Sequence, residues 1–248
     1  VAPREMSRYL EQQIQAHYPD AVMEEAPDYN IFNYKNNVVA GSLKTKRDFL
    51  FPLKTYNKME ADPLNSLINV MSKLNPDEGM AIQYVVRSAK GGWHRAVVKF
   101  VSDVHKFNSV SNALRNRGFL KIFLFFGDLI RSAKPPQNQA KAENQPRLTP
   151  MEEETLKLIE EKNSKAGLDV NLRVVISAKN EHQAKAYLNN IVGAFSQYNH
   201  YEYGNSFSNK ISNGFWSGQN KMIKDFIYRR FDESVRFLLN TEELNSLF

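Results

Sequence analysis

The sequence predicts an α+β fold built as two related split β-α-β lobes with mixed sheets, and three observations lead there. In Ala166 to Ala178, the apolar residues Val170, Leu172, Val174 and Ile176 recur at period two, which turns one face of a strand toward a core. Helix patterns stand on both sides of that strand. A second helix and strand, Asp62 to Ala89, repeat the pattern of Thr149 to Ala178, a signal of duplication.

Each piece has a local cause. Thr149 can cap free backbone N–H groups, Pro150 is pre-set for a first helical turn, and Glu152 is favoured at the positive helix end. Beyond the strand, Asn180 can cap a helix whose stripe is Ala184, Tyr187, Leu188, Ile191, Val192 and Phe195. The earlier copy has Asp62-Pro63 as its entry, then Leu64, Leu67, Ile68, Met71 and Leu74 at helical spacing. Gly79 then introduces the alternation Met80, Ile82, Tyr84, Val86. Both copies end in Ser-Ala. A first helix, about Arg4 to His17, pairs with the helix after Asn180: Tyr9-Leu10, Ile14, Ala16 and His17 match Tyr187-Leu188, Val192, Ala194 and Phe195. Tyr18-Pro19 stops it. Short strands are expected at Ala21 to Glu25, Val38 to Leu43 and Phe49 to Leu53, the last two as separate strands or one bent strand, with Pro52 marking an edge. Each lobe is then expected to be ferredoxin-like, with helices over one face of its sheet. The first lobe shows no strand before its first helix, so that strand is expected upstream of Val1 or from elsewhere.

Between the lobes, Ser109 to Lys134 is rich in Leu, Ile and Phe with basic flanks, and reads as a buried helix in preference to one lying in a membrane interface. Pro135 to Pro146 is a solvated linker. The expected layout is a first lobe at 1–108, an apolar helix plus linker at 109–148, and a second lobe at 149–248. Near the end, Tyr198 to Tyr203 reads as a strand, Gly204 to Gly218 as a loop, Lys221 to Phe237 as a basic helix or strand-helix, and Ser234 to Leu239 as a final strand.

With 248 residues, 42% hydrophobic and 24% charged, the chain has the composition of a globular protein rather than a disordered one. A formal charge of +6 favours anionic partners, nucleic acid or an acidic membrane face. The absence of cysteine excludes disulfides, thiol catalysis and thiolate metal sites, and fits the cytoplasm. No apolar run is long enough to span a bilayer, the first residues lack the apolar core of a signal peptide, and both ends look like cuts from a longer chain.

No catalytic constellation stands out in the sequence. No G-x-x-x-x-G-K-[ST] loop occurs, and Gly91-Gly92-Trp93 reads as a turn with no helix after it. His17, His94, His105, His182 and His200 are scattered, and Ser88 and Ser177 lack a nucleophile elbow. No catalytic, cofactor-binding or metal-binding residue is therefore expected. Nucleic-acid binding has better ingredients: Lys44, Lys46, Arg47, Lys210, Trp216, Lys221, Arg229 and Arg230 could neutralise phosphates and stack on bases, although a solvated basic face reads the same way. For membrane or partner contact the candidates are Arg115, Arg117, Phe119, Phe123 and Phe126.

One resemblance spans most of the chain. Arg4-Glu5-Met6, Leu10 to Ala21, Pro52 to Tyr56, Asp62-Pro63-Leu64, Asn171 to Ala178, Asn190 to Phe195 and Leu239 to Leu244 together resemble the region preceding the motor in type IV secretion and conjugation ATPases, the VirD4/TraD-like and HerA/FtsK-like DNA pumps. The P-loop core of that family is absent from these residues. What the resemblance implies is a noncatalytic accessory domain at the cytoplasmic membrane face. Its expected partners are a downstream ATPase domain, secretion-channel proteins, DNA and further copies of itself, with no cofactor of its own. The alternative is a freestanding module for single-stranded nucleic acid.

Overall fold

The computed structural model describes residues 4–24, 30–59, 62–117, 148–201, 204–210 and 217–247. The chain divides into two units, Val1–Asn30 and Ile31–Phe248. In the first, a 3-10 turn, Arg4–Met6, leads into α1, Ser7–His17. Helix α1 buries none of its residues, and Met6, Tyr9, Leu10 and Ile14 are exposed. Residues 21–24 form no strand.

The second unit is an α+β fold on one antiparallel sheet. Its strands are β1 (Asn37–Thr45), β2 (Gly79–Ser88), β3 (Gly167–Ala178), β4 (Phe207–Lys210) and β5 (Phe237–Asn240). The order is β2-β3-β1-β4, with β5 also on β3. The central β3 pairs along one edge with β2, from Leu168 opposite Ser88 to Ser177 opposite Gly79. Its other edge is divided: Leu172–Ala178 pair with β1, and Gly167–Val170 with β5. Strands from both expected lobes thus share one sheet, and the two mixed sheets of the sequence reading are replaced by a single antiparallel one. A local alternation fixes which face of a strand is apolar but not which strand it joins.

The helices are α2 (Pro63–Met71), α3 (Trp93–Phe107), α4 (110–117), α5 (Pro150–Asn163), α6 (Glu181–Ala194), α7 (Ser217–Ile227) and α8 (Thr241–Asn245). The caps expected from sequence are present: Asp62 accepts from Leu64 N, Thr149 and Glu152 form a reciprocal capping box, and Asn180 accepts from Gln183 N. Glu152 also accepts from Val110 N at 2.9 Å, so one carboxylate serves the first turns of α4 and α5.

Helices α2 and α6 cover one sheet face, where Val170, Leu172, Val174 and Ile176 join Leu67, Leu188, Ile191 and Phe195. Helices α3, α4 and α5 enclose a second core of Trp93, Val97, Phe100, Val104, Ala113 and Ile159 that reaches Leu238 of β5. A third cluster packs Met222, Ile223 and Phe226 of α7 on Ile31, Ala40 and Val175. The supposed copies differ here, because α2 packs against α6 whereas α5 packs against α3.

Further expectations are corrected. Residues 49–53 form no strand, yet Leu50, Phe51 and Leu53 are buried. Their backbone is satisfied one group at a time: Leu53 N donates to Glu243 Oε1 at 2.7 Å, and Phe51 O accepts from Asn205 Nδ2 at 3.3 Å. A 15-residue helix follows Gly91-Gly92, with Gly92 at φ 97° in the left-handed region. Lys221 to Phe237 does not form one helix, since α7 ends at Ile227 and Arg229 takes φ 53°. Residues 199–201 contain no strand, and β4 arises within the expected Gly204–Gly218 loop. The apolar helix near Phe119–Ile130 and the Pro135–Pro146 linker lie outside the described residues.

Candidate functional site

The side of β3 turned away from α6 carries Asp169, Asn171 and Arg173, each no more than 1% exposed. By register they stand opposite Arg87, Val85 and Gln83 of β2. A buried ionic row needs a partner for every donor and acceptor, and residues 225–236 supply most of them. Arg173 donates through Nη1 to Gln83 Oε1 (3.1 Å) and Asp225 O (3.2 Å), and through Nη2 to Asn171 Oδ1 (3.2 Å) and Arg230 O. Burial lowers its pKa, and the charges of Asp225 and Asp232 oppose that shift. Asn171 exchanges two bonds with Asp232: its Nδ2 donates to Asp232 O at 2.9 Å, and its Oδ1 accepts from Asp232 N at 2.6 Å. Asp169 receives Arg236 at 3.0 and 3.2 Å and Arg87 at 3.3 and 3.4 Å.

The outer ends of this seam are also paired. Lys221 bridges Asp225 (3.0 Å) and Asp232. Partial burial would raise the Asp232 carboxyl, but Lys221 and Ser234 outweigh it and hold the pKa down at about 2. Glu233 accepts from Arg87 (2.6 Å) and Lys90 (3.2 Å), and Arg87 lies 3.9 Å above the Phe231 ring. The seam thereby fastens the segment after α7 onto the sheet.

At the Asp169 end the seam opens into a cleft of about 450 Å³. Its walls come from the turn before α3 (Lys90, Gly91, Trp93), the last described residue of α4 (Arg117), Phe49, and Arg236 to Leu238 around β5. A Cβ on Gly167 would lie 2.5 Å from the Trp93 indole, so only glycine at the start of β3 lets that ring form the wall. Arg117 lies 4.8 Å above the Phe49 ring, with Nη2 at 3.6 Å from Asp48. Its Nη1 is buried and has no hydrogen-bond partner among the described residues.

A second buried pair joins α5 to the end of the chain. Lys162 Nζ lies 3.0 Å from Glu243 Oε2, both side chains almost fully enclosed. Glu243 also accepts from Leu53 N (2.7 Å) and Asn240 N (2.8 Å). In sequence, Asn240-x-x-Glu243 is readable as a capping box; its lysine partner is not.

Of the basic residues singled out in sequence, Lys44, Arg47 and Lys221 are engaged within the fold. Lys44 donates to Ser234 O; Arg47 donates to Gly204 O at 2.7 Å and stacks 3.6 Å from Phe51; Lys221 belongs to the seam. Lys46, Arg115, Arg229 and Arg230 are exposed, with Arg230 over Tyr228 at 5.0 Å. Lys210 stands opposite Ser42 in the β1–β4 register. Trp216, Phe119, Phe123 and Phe126 lie outside the described residues. Ser177 is fully buried. Among the described residues no group of three or more His, Asp or Glu side chains is placed to hold a metal ion, and no helix is long and apolar enough to cross a membrane.

No curated protein and no solved structure matches the chain. A family match covers residues 1–248, from end to end, and it carries the description Domain of unknown function (DUF8128). The chain therefore belongs to the DUF8128 family.

Proposed function

We propose that the chain is a noncatalytic accessory domain of a DNA-translocating ATPase of the type IV secretion kind, acting in assembly or docking at the cytoplasmic face of the membrane. The observation that carries this reading is the outer edge of β2. Among the described residues this ten-residue strand pairs only with β3, so its other edge offers unpaired backbone groups to a further strand. Val86 on that strand is exposed. The reading also accounts for the strand missing from the first half of the sequence pattern, which a neighbouring copy, the downstream motor or a channel protein would supply. Descent of the two helix–strand units from one ancestor is part of the proposal, supported by their proline-led caps and glycine-led strands.

The alternative, a module for single-stranded nucleic acid, is less well supported because Lys44, Arg47 and Lys221 are engaged within the fold. The test is to place Val86→Lys in the parent translocase. The expected result is weakened subunit association, with ATP turnover per assembled subunit within about twofold of the wild type. Normal assembly with lost turnover would contradict the proposal.

A further inference from the structure

We propose that the cleft at the end of the polar seam is a binding site for a small phosphate ester, with the phosphate held by Arg117 and Lys90 and the organic portion against Phe49. This site is separate from the β2 edge and does not depend on the assembly reading.

The cleft is large enough for a nucleotide-sized ligand, at about 450 Å³. Three cations reach it, Lys90, Arg117 and Arg236, and they are not equivalent. Arg236 is committed to Asp169 through both carboxylate oxygens. Among the described residues Lys90 has one partner, Glu233, and its side chain is 65% exposed, so it can turn toward a ligand at little cost. Arg117 is the poised group. Its side chain is 20% exposed, its contact with Asp48 is at 3.6 Å, beyond ordinary hydrogen-bond length, and its Nη1 is enclosed without an acceptor among the described residues. A guanidinium N–H enclosed without an acceptor carries a desolvation cost, which a turn of the side chain toward a ligand oxygen in the cleft would relieve. Guanidinium geometry matches a phosphate with two parallel donors. A dianionic phosphate would also outcompete the distant carboxylate of Asp48 for that fork.

The surroundings suit an anion in two further ways. The first turn of α3 carries no acidic residue, and Gly92 gives its N-terminus no side-chain cap. Gly91 and Gly92 have open space where a Cβ would stand, so a ligand can approach the backbone of that turn. Phe49 supplies an apolar wall beside Arg117, which suits the organic part of an ester better than it suits inorganic phosphate.

Isothermal titration with ADP, inorganic phosphate and adenosine tests the site on the intact chain. Saturable ADP binding is expected, with weaker binding of phosphate and none of adenosine. Arg117→Gln should weaken ADP at least about tenfold and Lys90→Gln by a smaller factor, with both variants keeping the wild-type circular dichroism and melting temperature. Should Arg117→Gln fail to fold, the exposed Lys90→Gln still reads the site. Absence of saturable ADP binding up to millimolar concentration, or equal affinity in the wild type and the folded variants, would overturn the proposal. So would tighter, Arg117-dependent binding of an oligothymidylate that displaces ADP, which would assign the cleft to a nucleic-acid strand.

Discussion

On one face of β3, Val170, Leu172, Val174 and Ile176 meet α2 and α6; on the other, Asp169, Asn171 and Arg173 are just as deeply buried. Burial is the same, but the means of holding the covering layer differ. Apolar contact is non-directional and graded, so trimming one side chain removes area and leaves a cavity that neighbours can partly fill. The polar face is directional: both terminal nitrogens of Arg173 have named acceptors, and removing them takes a donor from four acceptors at once, two of them in buried bonds. One face is tolerant and the other is keyed.

The comparison can be broken from either side. Arg173→Met, which keeps an unbranched stem and removes the guanidinium donors, should cost about 4 kcal/mol in denaturant unfolding. Leu172→Ala on the apolar face should cost about 3 kcal/mol in the same measurement. A smaller effect comes from acid. Because the folded-state pKa of Asp232 is depressed to about 2 from an ordinary value of 3.8, its contribution is fully present above about pH 4 and is lost as pH falls toward 2. After screening at a partly exposed pair this amounts to about 1 kcal/mol, and it should shrink in the pH profile of Lys221→Met, where only the Ser234 bonds still favour the carboxylate.

Much of the local structure is legible in the sequence. Asp62, Thr149 and Asn180 cap the helices expected of them because N-cap chemistry is a property of three or four consecutive residues. The apolar face of β3 is legible for a similar reason. The sequence also contains the signal for α3, in Trp93, Val97, Phe100 and Val104 at helical spacing, but reading Gly91-Gly92 as an isolated turn hides it. The pairing of β2 with β3 in one sheet is not legible, since repeated local patterns carry no record of their partners. Nor is the seam. Asp169, Asn171 and Arg173 are the residues that alternation assigns to solvent, and only the arrival of residues 225–236, about 60 positions later in the chain, makes them interior. The cleft follows from that burial, because Asp169 and Arg236 meet only when the seam is closed.

Amide hydrogen exchange on Arg173→Met tests most directly whether the polar face is a fastening for one segment. If the seam acts as described, protection falls at residues 225–236 while the β1–β3 and β2–β3 ladders keep theirs at the level set by the reduced global stability. Protection at 225–236 that stays equal to that of the β3 ladder in this variant would contradict it.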